Sequence, residues 1–216
     1  MNWEWLQRNE QQILAWTLEH VWLAAVPTIL GLLLALPVGA IAHRYRWSYG
    51  TLITLAGLLY TIPSLALFVV LPGLMGTRIL DPVNVVVALT LYTLALLVRV
   101  VADALDAVPP LVVASATAMG YKPLRSLVTV QLPLAIPVIG AGLRVAAVSN
   151  VSLVSVAVLL GIPQLGQLFI TGFQLDFFTP IIAGIVLCLL LAAIFDTIIL
   201  LTVRLSTPWT RAVPGR

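Results

Sequence analysis

Residues 181–195 read IIAGIVLCLLLAAIF, an unbroken apolar run that decides the fold class. With its flanking residues the run is long enough to cross a bilayer, which takes a helix of about 20 residues. Inside lipid the backbone must satisfy its own hydrogen bonds, so a spanning segment is either a helix or a strand of a closed barrel. A barrel strand alternates apolar and polar residues, and this run does not. The sequence therefore predicts an all-α membrane protein.

The same composition extends through most of the chain. Of its 216 residues, 61% are hydrophobic and only 9% are charged, whereas soluble domains carry about 25% charged residues. Turn residues, prolines and charges divide the apolar sequence into five predicted spans within one transmembrane domain, residues 20–208. The predicted spans are residues 20–43, 51–73, 83–101, 134–160 and 178–204.

The placement of basic residues predicts the orientation. Residues 1–19 are too polar to span and are expected to lie on the outer surface as an amphipathic segment, with Trp5, Leu6, Ile13 and Trp16 toward the lipid. If the amino terminus is outside, nine of the 11 lysines and arginines fall on the inner side, all except Arg8 and Arg78. The positive-inside rule then places the loop 102–133 and the tail 209–216 in the cytoplasm of a multi-pass protein of the cytoplasmic membrane.

The loop 102–133 is a polar interruption between two apolar spans. We expect a helix, a glycine turn and a second short helix, both helices lying along the membrane face, before Pro133 and Pro137 mark the return to the bilayer. The residues that mark these elements are Asp106 as a cap, Pro109 and Pro110 at the helix start, Gly120 in a left-handed turn, and Lys122 and Pro123 at the restart.

The spacing in this loop resembles the motif of binding-protein-dependent ABC importer permeases. That motif has Glu-Ala-Ala, a glycine four residues later, and an aliphatic-x-Leu-Pro sequence after nine more; here residues 114–116 read ASA, Gly120 follows, and residues 130–133 read VQLP. The resemblance implies that the loop docks on a separate ATP-hydrolysing subunit. Because Ala114 replaces the family's glutamate, docking is expected to depend on shape and nearby basic residues. The candidate coupling residues are Ala114, Ser115, Ala116, Met119, Gly120, Tyr121, Lys122 and Arg125.

Three further stretches are similar to the osmoprotectant branch of that family: LEHVWL at 18–23, TIPSLAL at 61–67 and GIPQLG at 161–166. Members of the branch carry glycine betaine, choline, carnitine and related quaternary amines. The resemblance implies a type I ABC importer permease fold with about five transmembrane helices and a cytoplasmic coupling helix. It also implies two ATPase subunits, a second permease subunit that is identical or paralogous, and an extracytoplasmic substrate-binding protein.

The chain itself is expected to be a transport subunit and not an enzyme. It lacks a glycine-rich phosphate loop ending in Gly-Lys-Ser or Gly-Lys-Thr, so ATP and magnesium are expected on the partner, with no cofactor, metal or nucleic acid on this chain. A quaternary ammonium is normally recognised by an aromatic cage, and no clustered aromatic residues are evident within the spans. Substrate selection is therefore assigned to the binding protein, with the outer loop 161–177 as one candidate docking surface.

Charged residues within spans are costly and usually face the interior of a helix bundle. Arg144 and Asp196 lie at similar predicted depths on antiparallel spans, so they either form an ion pair or separate, with Arg144 reaching the inner surface and Asp196 bonding a hydroxyl. Glu19 and His20 are expected to cap or anchor the outer start of the first span.

Small polar residues mark the candidate pathway. Ser149, Ser152 and Ser155 recur every three residues, and Thr61, Pro63 and Ser64 interrupt the second span, where Pro63 predicts a kink. Both groups either line the pathway or serve close helix packing.

Two other functions remain open on sequence grounds. An ion-gradient-driven secondary transporter would use Asp196 as its buried carboxylate, and an ABC permease could carry another small solute such as an amino acid. A membrane-embedded enzyme is disfavoured because the only histidines, His20 and His43, are predicted at opposite membrane faces.

Overall fold

The computed structural model describes residues 1–211, which contain no β-strand, and the all-α prediction is confirmed. Residues 212–216 of the predicted tail lie outside the described residues. The helices are α1 (Trp3–Arg8), α2 (Glu10–Arg44), α3 (Arg46–Thr61), α4 (Ser64–Met75), α5 (Pro82–Asp106), α6 (Pro110–Ala118), α7 (Pro123–Ser126), α8 (Leu132–Val154), α9 (Gln167–Gln174) and α10 (Phe178–Ser206). A π-helical turn, Leu127–Gln131, joins α7 to α8, and two 3₁₀ segments, Ser155–Leu160 and Pro208–Arg211, follow α8 and α10.

Helices α2 and α5 pack side by side and run in the same direction. Gly31 lies against Thr93 and Gly39 lies against Val101, so positions eight residues apart on one helix meet positions eight residues apart on the other. The approach is close because glycine has no side chain: a Cβ at Gly31 would lie 2.4 Å from the Cβ of Thr93. Small residues permit this backbone proximity between membrane helices.

Helices α8 and α10 complete the bundle in alternating directions. Asn150 of α8 contacts Thr93 of α5, while Gly142 of α8 lies against Val100, so α8 runs antiparallel to α5. Gly140 lies against Val203, near the end of α10, so α10 runs antiparallel to α8.

The second predicted span is a broken helix. Helices α3 and α4 meet at an angle of 102°, and Ile62 between them has extended backbone angles. Pro63 follows directly, and proline prevents the helix from continuing normally through this point. Because α2 and α5 are parallel, the chain must return across the bundle after α2 before α5 can begin. Helices α3 and α4 form this returning segment. Four helices of the described residues are long and apolar enough to span, and the bent pair makes a fifth crossing.

The predicted boundaries differ most from the structure at the starts of the first and fourth spans. The first long helix begins at Glu10 and not at residue 20, because residues 10–19 contain no proline or glycine to end it. The fourth spanning unit is one run of 38 residues, Pro123–Leu160. The second loop helix is therefore its first turn, since proline at a first helical position lets the helix continue.

The amino-terminal tryptophans contact the bundle more than a surface segment would. Trp5 and Trp16, with Leu6 and Ile13, pack against the apolar core formed by the first half of α2, the first half of α5 and the end of α8. The second core, around Leu97, Val101 and Ala135, occupies the other end of the bundle. Most of α10 is exposed along its length, as expected for a helix that faces lipid or another subunit.

Candidate functional site

The loop between α5 and α8 is built around a tight glycine turn. Helix α6 starts with Pro110 at its first position and ends at Ala118. Gly120 has a φ of 83°, in the left-handed region. Its amide donates to the Thr117 carbonyl (2.9 Å) and the Tyr121 amide donates to the Ala116 carbonyl (3.1 Å). These two bonds are the Schellman arrangement, which ends a helix and reverses the chain.

One face of α6 carries small side chains and is exposed. Ala116 is buried against the bundle, whereas Ala114 and Ser115, on another side of the helix, are exposed. The Ser115 hydroxyl donates to the Leu111 carbonyl at 2.8 Å, so it is used within the helix. Met119 is 71% exposed at the end of the same face. These residues form an exposed surface onto which another protein can pack.

Basic residues follow this face directly. Lys122 and Arg125 are both exposed, and the Arg125 guanidinium lies over the Tyr121 ring, 4.8 Å from its centroid. Asp106 does not cap α6, contrary to expectation, because α6 has no side-chain cap and the Asp106 carboxylate instead accepts from His43 Nδ1 at 2.6 Å. Arg46 lies 3.8 Å from the other Asp106 oxygen.

The structure brings Arg144 and Asp196 together in a bidentate pair. Arg144 Nε lies 2.6 Å from Asp196 Oδ1 and Nη2 lies 2.7 Å from Oδ2. Such fork-to-fork geometry is both strong and directional. The pair joins α8 to α10 with side chains about one-third exposed (36% and 32%), and it is the first of the two alternatives that the sequence left open.

Asn150 joins three helices inside the bundle. Its side-chain amide donates to Thr28 on α2 (2.9 Å) and to Thr93 on α5 (2.8 Å), and all three residues are buried. Buried polar groups that satisfy one another fix helices in one arrangement. The sequence shows only a polar residue beside a row of serines; its two partners lie 122 and 57 residues away and carry no spacing signal.

The three serines on α8 and its extension have different environments. Ser149 is half-buried and lines a small pocket with Tyr60 and Tyr92. Ser152 is exposed, and the Ser155 hydroxyl donates to the Ser152 carbonyl at 2.5 Å. Thus only part of this polar row is available to a solute or a partner.

The break between α3 and α4 exposes further polar groups. Thr61 and Pro63 are exposed and Ser64 is half-buried. The Tyr92 hydroxyl donates to the Ile62 carbonyl, which the interrupted helix leaves without a helical partner.

The tyrosine beside this break forms an aromatic pair that the sequence did not reveal. The rings of Tyr60 and Tyr92 meet edge to face with centroids 5.7 Å apart. The expectation that the spans contain no clustered aromatic residues is therefore wrong at this pair. Because the two residues belong to different spans, no local pattern connects them.

His20 is neither a cap nor an interfacial anchor. It is fully buried within α2, with Nε2 2.9 Å from the Val151 carbonyl and Nδ1 3.1 Å from Gln164 Oε1. Gln164 is itself buried and accepts the Gly166 amide, so it holds the 161–166 turn against α2 and offers no atom to a docking partner. Phe173, at 84% exposure, and the exposed Gln174 and Asp176 form the accessible part of this outer loop.

Comparisons with known proteins agree with this architecture. The family model of the binding-protein-dependent transport system inner membrane component matches residues 17–210. The chain is 33% identical to the osmoprotectant import permease protein OsmW of Salmonella typhimurium, over 87% of this chain and 88% of that protein. It is 30% identical to the choline transport system permease protein OpuBB of Bacillus subtilis, over 95% of this chain and 93% of that protein.

A solved structure shares the fold. A chain of the MetNI methionine ABC transporter in an inward-facing conformation superposes with a TM-score of 0.83 at 21% identity, over 93% of this chain and 98% of that chain. At this identity the likeness concerns the fold alone. It supports the prediction of a type I ABC importer permease architecture.

The ion pair generates a stability prediction. Replacing one partner, by Arg144→Met or Asp196→Leu, leaves an unpaired charge in the membrane domain and is expected to lower the thermal unfolding midpoint of the detergent-solubilised chain by several degrees. The double variant removes both charges and should regain most of that loss, because paired charges replaced together by apolar groups are nearly neutral. If the unfolding midpoint of the double variant falls by the sum of the two single decreases, the two residues act independently.

Proposed function

Because the chain belongs to the family of inner membrane components of binding-protein-dependent transport systems, we propose that it is the permease subunit of an ATP-driven importer of compatible solutes. The proposed solutes are quaternary amines such as glycine betaine, choline and carnitine. The observation that carries the proposal is the similarity to osmoprotectant and choline permeases along nearly the whole chain. The exposed helix α6 is consistent with it, because an ATPase subunit can dock there.

In this proposal α6 receives force from an ATPase subunit. Its exposed small-sided face, Ala114 with Ser115 and Met119, fits closely into a groove, and Lys122 and Arg125 add positive charge at the edge. The Gly120 turn leads directly into the unit Pro123–Leu160, whose 38 residues would extend about 57 Å at 1.5 Å per residue. A displacement of α6 is therefore passed to a helix that is longer than the bilayer core of about 30 Å.

Polar contacts between helices pass that displacement from α8 to its neighbours. The bidentate Arg144–Asp196 pair joins α8 to α10, and Asn150 joins it to α2 and α5. Rocking of this unit alternates access between inward- and outward-facing states. ATP and the solute-loaded binding protein shift that equilibrium only through their different affinities for the two states.

The pathway is proposed to lie between two permease subunits, identical or paralogous. Polar or helix-breaking residues exposed on one chain at bilayer depth suit such a shared centre, and Ser152, Thr61 and Pro63 are exposed in this way. Ser149, Ser155 and Ser64 are half-buried behind them. The Thr61 hydroxyl already donates to the Leu58 carbonyl at 2.7 Å, whereas a water-filled passage would supply hydrogen bonds to the exposed Ser152 hydroxyl.

The remaining partners follow from the family and from charge. Two ATPase subunits hold ATP and magnesium at the cytoplasmic face, and an extracytoplasmic binding protein selects the solute and docks on the outer surface that includes α9. The distribution of lysine and arginine supports an amino terminus outside and a carboxyl terminus in the cytoplasm of the cytoplasmic membrane.

The geometry disfavours the ion-gradient alternative. That mechanism needs a carboxylate free to bind a proton or sodium ion, and both oxygens of Asp196 accept hydrogen bonds from Arg144.

The turn at Gly120 tests the proposed coupling. A non-glycine residue at a left-handed position costs about 1–2 kcal/mol, so Gly120→Ala should displace α6. In proteoliposomes containing the full transporter, ATP-dependent uptake of radiolabelled glycine betaine is expected to fall at least several-fold in this variant, and ATP hydrolysis should lose its response to the loaded binding protein.

Gly76 provides the matched control. It also has a positive φ (69°) and no atom within 4 Å of an added Cβ, but it lies at the opposite end of the bundle, after α4. Gly76→Ala should keep ATP-coupled uptake near the wild-type level. Uptake by wild type that follows an ion gradient and ignores ATP would overturn the proposed function.

The proposed pathway gives a separate prediction. Ser152→Trp places a bulky ring on the exposed polar face and should reduce uptake at least tenfold while the complex still assembles on size-exclusion chromatography. Leu189→Trp, at an exposed position on α10, is the control and should transport normally. Unchanged uptake by Ser152→Trp would remove this face from the pathway.

A further inference from the structure

A cleft of about 740 Å³ lies between the end of α2 and the loop that connects α5 to α8. The end of α2 forms one wall with His43 and Arg44, and the other wall comes from α6, the Gly120 turn and the start of the α7–α8 unit, with Thr117, Tyr121, Lys122 and Leu127. Thr117 and Val113 line it from a different side of α6 than Ala114 and Ser115, which are exposed away from the bundle. The cleft thus opens on a different side of α6 from Ala114 and Ser115, and it shares Lys122 with the edge of the proposed ATPase-docking face.

Two basic residues that line the cleft, Arg44 and Lys122, have no acidic partner in the described residues. No acidic side chain is among its lining residues. Within the described residues, Arg46, Arg99 and Arg144 each have a carboxylate within 4.0 Å, whereas Arg44 and Lys122 have none. The Arg44 guanidinium lies 5.7 Å from the centroid of the neighbouring Tyr45 ring. The third basic group, His43, is already bonded to Asp106.

The cleft lies at the level where the apolar part of the bundle ends on the predicted cytoplasmic side. It forms where α2 leaves its apolar stretch at Arg44 and where the antiparallel α7–α8 unit begins at Pro123. Trp47, 83% exposed, lies just beyond the end of α2, and exposed tryptophan is typical of the headgroup level. Apolar side chains complete the lining, among them Val113, Leu124 and Leu127.

We propose that this cleft binds the headgroup of an anionic phospholipid of the inner leaflet, with Arg44 and Lys122 contacting its phosphate and the apolar lining contacting its acyl chain. Basic pockets between membrane helices on the cytoplasmic side are suited to such headgroups. A free phosphate ion would use the two cations but would leave Leu124 and Leu127 uncovered, so a lipid satisfies more of the surface. This site goes beyond the transport function and does not depend on it.

Native mass spectrometry of the purified full chain tests the site, with equal amounts of dioleoyl phosphatidylglycerol and dioleoyl phosphatidylcholine as probes. Wild type is expected to retain phosphatidylglycerol preferentially. Arg44→Gln with Lys122→Gln should weaken the tightest phosphatidylglycerol site about 25-fold, from about fivefold per basic residue near an anionic lipid. The variant Arg44→Lys with Lys122→Arg keeps both positive charges and should retain the lipid. Retention would show that the glutamine variant loses lipid because it loses charge and not because it misfolds.

Arg78→Gln is the matched control, since Arg78 is also exposed and without a carboxylate partner in the described residues, but it lies at the opposite end of the bundle. It should bind phosphatidylglycerol like wild type. Equal retention by wild type and the double glutamine variant, or an equal loss in Arg78→Gln, would overturn the proposal. Displacement of the lipid by millimolar inorganic phosphate would assign the cleft to a free anion and would also overturn it.

Discussion

The parallel packing of α2 on α5 is the contact on which the rest of the structure depends. Gly31 and Gly39 bring the two backbones together, and their partners Thr93 and Val101 fix the register. Two parallel neighbours in one chain require a return crossing, so α3 and α4 must traverse the bundle despite the 102° break between them. The same packing places the end of α2 beside the end of α5, where the loop between α5 and α8 begins.

A few polar contacts connect the long helices of this bundle to one another. Asn150 joins α8 to α2 and α5, and Arg144 with Asp196 joins it to α10. Apolar packing alone allows helices in lipid to slide, whereas directional bonds between side chains hold one arrangement. Helix α8 therefore has polar contacts with α2, α5 and α10, and in the proposed mechanism it passes a displacement at Gly120 to these helices.

The sequence predicts what depends on local chemistry. The apolar runs predict the long helices, and Gly120 predicts the left-handed turn because only glycine adopts it without strain. The candidate pair Arg144 and Asp196 followed from depth alone. Contacts between distant segments were not accessible: His20 looked like a residue at the start of a span, but its partners Val151 and Gln164 bury it, and Tyr60 meets Tyr92 only after the chain has folded.

The proposed orientation places the loop between α5 and α8 and the outer helix α9 on opposite faces of the membrane, and cysteine labelling in intact cells measures this directly. The native Cys188 is replaced by serine, and Met119→Cys or Phe173→Cys is introduced at an exposed position. A membrane-impermeant maleimide should label Phe173→Cys from outside and Met119→Cys only after permeabilisation. Labelling of Met119→Cys in intact cells would contradict the orientation and the coupling role with it.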